Sequence, residues 1–141
     1  MRKFNVRVYG LLIHDNRLLV TQEKIAGNLI TKLPGGGLEF GEGTTECLIR
    51  EFKEELNMEI VVEQHFYTTD FFVPSAFDDS QVISIYYIIN STLDDRIIQV
   101  SSQEKMVQAI HWIPIEKLET SQFQFPIDKH VINLFKTSYN H

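Results

Sequence analysis

The chain has 141 residues, of which 43% are hydrophobic and 23% are charged, and its formal net charge at pH 7 is −6. This length suits a single domain with its own core, and the acidic balance argues against nonspecific binding to nucleic acid polymers or anionic membranes. The single cysteine, Cys47, excludes an internal disulfide and fits a reducing compartment. We therefore expect one cytoplasmic domain over residues 1–141.

The N-terminal part of the chain is predicted to form short strands. Residues 4–14 are rich in β-forming side chains, and the turn signal at Asp15 and Asn16 separates them from residues 17–21, so the two segments should pair as a hairpin. An extended piece over residues 29–33 leads into a glycine turn, and residues 38–40 can form another short strand.

A helix is predicted after these strands, with Thr44 or Thr45 as its N-cap. Its apolar positions recur at helical spacing and should face a core. These positions are Leu48, Ile49, Phe52 and Leu56.

The same helix carries an acidic face. Glu51, Glu54 and Glu55 are spaced i, i+3 and i+4, so their carboxylates lie on one side of the helix and repel one another unless a cation is present. Oxygen ligands of this kind suit a hard divalent ion, Mg²⁺ or Mn²⁺. Arg50 lies four residues before Glu54 and can pair with it.

The glycine-rich segment before the helix has a matching chemistry. Residues 34–37 read Pro-Gly-Gly-Gly, which allows the backbone to turn sharply and to approach a ligand closely. Carbonyl groups in such a loop could ligate a metal ion, and its N–H groups could face phosphate oxygens.

Further strands and a terminal helix follow. Residues 59–70, 82–90 and 107–113 read as strands, residues 91–103 as a loop or an edge strand, and residues 127–139 as a C-terminal helix. The strand over residues 82–90 is apolar on both faces, which is typical of a central strand. Strands around one internal and one terminal helix favour an α/β fold with a mixed sheet between helical layers.

The spacing of the glycine and the charged residues resembles the Nudix box, G-x5-E-x7-R-E-U-x-E-E-x-G-U with U apolar. Gly36 is followed after five residues by Glu42 and after seven more by the segment Arg50 to Met58, so every charged position of the pattern is present. One fixed position departs, because Asn57 replaces the usual glycine. Asparagine tolerates the left-handed conformation that ends a helix, so we expect the change to spare the chemistry.

The resemblance implies a Nudix hydrolase with an α/β/α sandwich, which cleaves the pyrophosphate linkage of a nucleoside diphosphate joined to another group. By the same resemblance, the metal ligands are Glu51, Glu54 and Glu55 with a loop carbonyl of Gly35 or Gly36. Arg50 orients a carboxylate, and Gly36, Gly37 and Glu42 support the loop. Glu104 is a candidate for a further catalytic glutamate. The resemblance leaves open whether Glu51 or Glu104 is the general base.

The substrate stays open at this point. Pro74 lies sixteen residues after the box, a spacing similar to that in relatives that cleave ADP-ribose, while nucleoside triphosphates and other diphosphate-linked compounds are the alternatives. Phe71, Phe72 and Tyr86 could stack on a base. A small nucleotide is the expected partner, a homodimer is a guess from the family, and the alternative function is a Nudix-fold module that senses a nucleotide without cleaving it.

Overall fold

The computed structural model describes residues 3–92 and 107–139. Within these ranges the chain forms a seven-stranded sheet, two α-helices and two short 3₁₀ helices, Ile115–Lys117 and Thr120–Gln122. No helix in this part of the chain is long and apolar enough to span a membrane. The strands are β1 (Phe4–His14), β2 (Arg17–Ile25), β3 (Asn28–Lys32), β4 (Gly35–Gly37), β5 (Ile60–Thr68), β6 (Gln81–Ser91) and β7 (Val107–Pro114), and the helices are α1 (Thr44–Leu56) and α2 (Pro126–Tyr139).

The sheet is mixed, as the sequence predicts. Its main strand order is β3-β2-β1-β6-β5, with β4 paired to β1 and β7 paired to β2. β1 and β6 run parallel, with Val8 opposite Ile85, whereas the other pairs are antiparallel. β6 lies between β1 and β5, which confirms the central position expected from its two apolar faces.

The two helices cover opposite faces of the sheet. Successive side chains of β1 alternate between these faces, so Val8 and Leu12 pack with α1 whereas Tyr9 and Leu11 pack with α2. The helix residues in the two cores are Leu48, Phe52 and Leu56 on the α1 side and Val131, Ile132 and Phe135 on the α2 side. The predicted α/β/α arrangement is therefore confirmed.

Two predictions about the glycine-rich segment were wrong. Its glycines form an extended strand on β1 instead of a sharp turn, with Gly36 opposite Val8. The strand predicted at residues 38–40 is absent, because pairing with β1 takes place over Gly35–Gly37 instead. The glycine pattern indicates backbone freedom, and here that freedom allows a close approach between strands.

Two details of α1 also differ from the predictions. Gly43 is the N-cap in place of Thr44 or Thr45, and its backbone N–H donates to the Glu46 side chain at 3.1 Å. Ile49 is 45% exposed, because the sheet covers a narrower stripe of the helix than the apolar pattern suggests. Asn57 ends the helix in the left-handed conformation, with φ 51° and ψ 40°, which confirms the expected compensation for the missing glycine.

Candidate active site

The glycine strand and α1 bring the backbone of β4 against the acidic face of the helix. A Cβ atom at Gly36 would overlap the carboxyl group of Glu51, so only glycine leaves room for this side chain. Gly35 has a φ of +154°, and a Cβ there would overlap the carbonyl oxygen of Val8. Close approach thus explains why both positions carry glycine.

Arg50 ties the segment before α1 to the helix. Its guanidinium donates to both carboxylate oxygens of Glu42, through Nε at 2.9 Å and through Nη2 at 2.7 Å, and Nη2 also donates to the carbonyl oxygen of Gly37 at 3.1 Å. The Arg50 hydrogen bonds, aided by the backbone N–H of Glu39, lower the pKa of Glu42 to about 2. Glu42 therefore stays ionised at neutral pH and braces the segment.

The remaining terminal nitrogen of the same guanidinium reaches the acidic face. Nη1 donates to Glu51 Oε1 and to Glu54 Oε2, each at 3.1 Å. Arg50 therefore positions three carboxylates at once. The ion pair with Glu39, at 3.6 Å, is exposed and adds little.

Glu55 is the third carboxyl group of the acidic face, and its burial and neighbouring charges differ from those of Glu51 and Glu54. It is half-buried, and burial, the charge of Glu51 and a hydrogen bond to that side chain raise the pKa of Glu55 to about 8, although the Lys32 ammonium acts in the opposite direction. Two carboxyl groups that share a site cannot both ionise readily without a counter-ion. A proton on Glu55 reduces the repulsion between the two carboxyl groups, and a bound cation could do the same.

The donor set fits a hard divalent ion. The candidate donors are carboxylate oxygens of Glu51, Glu54 and Glu55, and the Glu51 carboxyl lies against the backbone of Gly36. Within residues 3–92 and 107–139, no three acidic, histidine or cysteine side chains are already gathered at metal-binding distance. The Glu54 side chain is 52% exposed and can move, so the fit lies in the chemistry of the donors.

Glu104 lies outside the described residues. Its proposed part in the site therefore remains a prediction from the resemblance.

A cavity of about 350 Å³ is lined by residues of β1, β2, β3, β6 and α2, and Glu51, Glu54 and Glu55 do not line it. The cavity is within electrostatic range of the box residues. The charges of Glu23 and Lys32, which line it, affect the pKa of Glu55, and the charge of Glu51 raises the pKa of Arg7, another lining residue. We call Glu23, Lys32 and Asp128 the polar wall, since all three line the cavity and are buried. The apolar wall consists of Val73, Pro74, Phe77 and Phe125.

The three aromatic residues predicted to contact a substrate do not line this cavity. Tyr86 is fully buried, stacked on Tyr9 at 5.3 Å between ring centroids, so neither face is free for a base. Phe71 packs edge-on against His130, and Phe72 lines a second depression, which shares Pro74 with the cavity. That depression contains none of the polar-wall residues.

Sequence reasoning identified Pro74 but missed the polar residues of the cavity. Arg7 lies between Val6 and Val8 in a largely apolar strand, and this interruption is a signal that could have identified it. Glu23 lies between Gln22 and Lys24, so the sequence around it gave no such signal. Asp128 gave no such signal, because an acidic residue in the first turn of a helix is commonplace.

A mixed sheet between two helices, with glutamates organised by one arginine beside a pocket, defines a domain of the Nudix type. The chain belongs to that family: it matches the NUDIX domain over residues 1–135. It is accordingly a Nudix hydrolase, a pyrophosphohydrolase of a class that generally uses divalent metal ions and acts on small nucleotide compounds.

Solved structures share the fold at low sequence identity. A NUDIX hydrolase from Nitrosomonas europaea has a TM-score of 0.76 at 18% identity, covering 96% of this chain and 90% of its own. A MutT NUDIX hydrolase from Burkholderia pseudomallei has 0.74 at 18%, covering 94% and 98%. An ADP-ribose pyrophosphatase from Streptococcus suis has 0.67 at 11%, covering 97% and 92%. These similarities establish the fold of the chain.

Proposed function

We propose that this Nudix hydrolase requires a divalent cation, Mg²⁺ or Mn²⁺, and cleaves the pyrophosphate linkage of a nucleoside diphosphate joined to another moiety. Glu51, Glu54 and Glu55 would hold the ion, with a carbonyl oxygen of Gly35 or Gly36 as a further ligand. When bound, the ion supplies Lewis acidity that offsets the negative charge of the diphosphate.

One observation carries the proposal. Glu51 and Glu55 share a hydrogen bond on a partly buried helix face, where the pKa of Glu55 rises to about 8 through burial and through the charge of Glu51. A structure that keeps two carboxyl groups together in this way favours a ligand of positive charge. Arg50, which contacts both Glu51 and Glu54, fixes the arrangement from one side.

The residues of the site account for the rest of the reaction. Water attacks phosphorus, a P–O bond of the linkage breaks, and the bridging oxygen leaves with one of the two phosphate products. A carboxylate accepts the proton of the attacking water, and Glu51 and Glu104 are the two candidates for this role. Arg50 keeps Glu51 oriented by a charge-assisted hydrogen bond of 3.1 Å.

The substrate class we propose is a small nucleotide, either a nucleoside triphosphate or a compound such as ADP-ribose. Pro74, whose spacing from the box suggested ADP-ribose, lines the cavity, and this supports a substrate contact at that residue. The name of one structural neighbour, an ADP-ribose pyrophosphatase, supports the second of these two classes. A cytoplasmic location and a homodimer remain predictions from composition and family.

A phosphate-release screen tests the proposal. The panel contains nucleoside triphosphates, ADP-ribose, NADH, dinucleoside polyphosphates and nucleotide sugars, each with Mg²⁺, with Mn²⁺ and with a chelator, and products are converted to phosphate by a coupling phosphatase or pyrophosphatase. We expect turnover of one substrate class that the chelator abolishes.

Two outcomes would contradict the proposal in different ways. Turnover that persists in chelator would show that hydrolysis does not require a metal ion. If no compound in the panel is hydrolysed but a nucleotide raises the melting temperature, the result would favour the alternative in which the chain senses a nucleotide without cleaving it.

A further inference from the structure

Arg7 carries a positive charge that has no anionic partner at close range among the described residues. Its side chain is half-buried on β1, and its Nε donates a hydrogen bond to the hydroxyl oxygen of Tyr9 at 2.6 Å. Tyr9 is a neutral partner, and in the described part of the chain no carboxylate forms an ion pair with Arg7. Charged side chains that are taken partly out of water are usually paired with an opposite charge.

The other lysines and arginines of residues 3–92 and 107–139 differ from Arg7 in this respect. Those that form ion pairs with carboxylates are Arg17, Lys32, Arg50, Lys53 and Lys136. Those that lie exposed to solvent are Lys3, Lys24, Lys117 and Lys129. Within these ranges, Arg7 is therefore the one lysine or arginine that is half-buried and has no ion pair.

Tyr9 fixes the orientation of the Arg7 guanidinium. Besides the Nε hydrogen bond, the guanidinium carbon lies 5.7 Å from the centre of the Tyr9 ring, and that ring stacks on the fully buried Tyr86. Among the described residues, the terminal nitrogens Nη1 and Nη2 are left for a ligand, and Arg7 lines the cavity through which a ligand can enter. A guanidinium held in this way is already oriented for a planar contact through two nitrogens.

The same guanidinium lies close to the candidate metal site. Arg7 is opposite Gly37 in the pairing of β1 with β4, and its Nη1 would lie 3.6 Å from a Cβ atom at Gly37. The preceding residue, Gly36, lies against the Glu51 carboxyl. Adjacent residues of β4 thus lie next to Arg7 and next to a carboxylate of the acidic face. One phosphate group of a bound diphosphate could therefore contact Arg7 while the other faces the acidic helix.

The other cations near the acidic face are already engaged. All three nitrogens of the Arg50 guanidinium donate to carboxylates or to the carbonyl oxygen of Gly37. Lys32 lines the cavity with Arg7, but it pairs with Glu23 at 3.6 Å. A phosphate group needs cationic partners beside so many carboxylates, and a guanidinium binds phosphate well through two parallel N–H···O bonds.

We propose that Arg7 binds a phosphate group of the substrate through Nη1 and Nη2 and so holds the diphosphate against the acidic face. Tyr9 is then the positioning residue for Arg7. This inference rests on the proposed function, since a diphosphate is the group that the acidic face is proposed to hydrolyse. It adds a residue that binds the substrate from the side of the cavity.

The test compares substitutions at two arginines. R7M removes the charge, R7K keeps the charge but loses the two-nitrogen contact, and Y9F removes the hydroxyl that holds Nε while keeping the ring. R17M and R17K are the matched controls. Arg17 also lies near an aromatic ring, that of Trp112 at 5.9 Å, but it pairs with Asp15 and does not line the cavity.

Two readouts are compared with wild type. The first is kcat/KM with Mg²⁺ on the best substrate of the phosphate-release screen. The second is the affinity for AMP, GMP, CMP and UMP relative to their nucleosides, measured by calorimetry in chelator, which reports the contribution of one phosphate group without a metal ion. Melting curves confirm that each variant is folded.

We expect wild type to bind at least one monophosphate about tenfold or more tighter than its nucleoside, and R7M to bring that ratio close to one. R7K and Y9F should lower the ratio partially, and the two Arg17 variants should leave it unchanged. In parallel, kcat/KM should fall about a hundredfold in R7M and about tenfold in R7K. If R7M does not fold, R7K and Y9F decide.

The inference and the proposed function fail separately. Wild-type kcat/KM in folded R7M and R7K, or a wild-type protein that binds no monophosphate more tightly than its nucleoside, would overturn the inference and leave the hydrolase intact. A monophosphate preference that is lost in R7M, without hydrolysis of any compound by wild type, would support the inference and contradict the proposed function.

Discussion

The two halves of the site treat charge in opposite ways. Around Arg50, the carboxylates of Glu42, Glu51 and Glu54 accept hydrogen bonds from the guanidinium at 2.7 to 3.1 Å. Around the cavity, the buried Glu23, Lys32 and Asp128 meet their neighbours only at 3.4 to 3.6 Å. Short hydrogen bonds from one guanidinium tie the acidic face to the segment before α1, whereas the cavity residues make longer contacts with one another. The comparison teaches that the acidic face and the cavity are organised by different residues and by contacts of different length.

The largest expected effect follows removal of one carboxylate from the acidic face. Glu54→Gln should lower kcat by at least about a hundredfold, because the amide is a poorer ligand for a cation. The fold should persist, since this side chain is half-exposed. Steady-state kinetics with Mg²⁺ and a melting curve check both points. Glu116→Gln, a change at an exposed glutamate far along the chain, is the control, and full activity of the Glu54 variant would refute the site assignment.

Loss of the hydrogen bonds made by the Arg50 guanidinium should have the next largest effect. Arg50→Lys keeps the charge but cannot donate to Glu42, Glu51 and Glu54 together, so we expect kcat to fall by about ten- to a hundredfold. Arg17→Lys changes an arginine that lies on β2 and pairs with Asp15, and it should leave kcat unchanged. Equal rates for the two lysine variants would mean that Arg50 does not organise the carboxylates.

Adjacent glycines provide a matched pair for the close approach of strand and helix. Gly36→Ala introduces a Cβ that overlaps the Glu51 carboxyl, whereas a Cβ at Gly37 meets Arg7 at an ordinary 3.6 Å. We expect Gly36→Ala to cost roughly tenfold in kcat/KM, since small displacements of a catalytic group are costly, and Gly37→Ala to stay near wild type. Equal losses in both variants would show that chain flexibility matters at these positions and not the space beside Glu51.

The polar wall makes a prediction about pH. Because burial raises the pKa of Asp128 to about 7, this residue stabilises the fold at low pH, and that contribution is lost as pH rises from the unfolded-state pKa near 4 through 7. The melting temperature of Asp128→Asn minus that of wild type should therefore increase by roughly 5 °C between pH 5 and pH 8. A difference that is constant with pH would contradict the burial of an ionisable group at this position.

The smallest effect is expected at the single cysteine. Burial, aided by Glu42, raises the pKa of the Cys47 thiol to about 12, so it is not a nucleophile at neutral pH. Its Sγ donates weakly to the Gly37 carbonyl at 3.5 Å. Cys47→Ala should therefore keep kcat within about twofold and lower the melting temperature slightly. Loss of turnover in a folded variant would require a chemical role for the thiol.

The same contrast explains what the sequence could and could not predict. The fold, α1 and the Arg50 motif were predictable, because they depend on fixed spacings within a short segment. The strand formed by Gly35–Gly37 was not, since glycine pairs in a sheet only where a neighbour such as β1 lies close. The polar wall joins residues from three distant elements, so tertiary structure alone brings Glu23, Lys32 and Asp128 together.

The most direct measurement is hydrolysis of the best substrate in ¹⁸O-labelled water, with Mg²⁺ and with chelator, followed by mass spectrometry of the products. The account predicts one ¹⁸O atom in a phosphate group of one product, and no turnover once the ion is removed. Label in a group that carries no phosphorus, or an unchanged rate in chelator, would contradict metal-dependent attack of water on phosphorus at the acidic face.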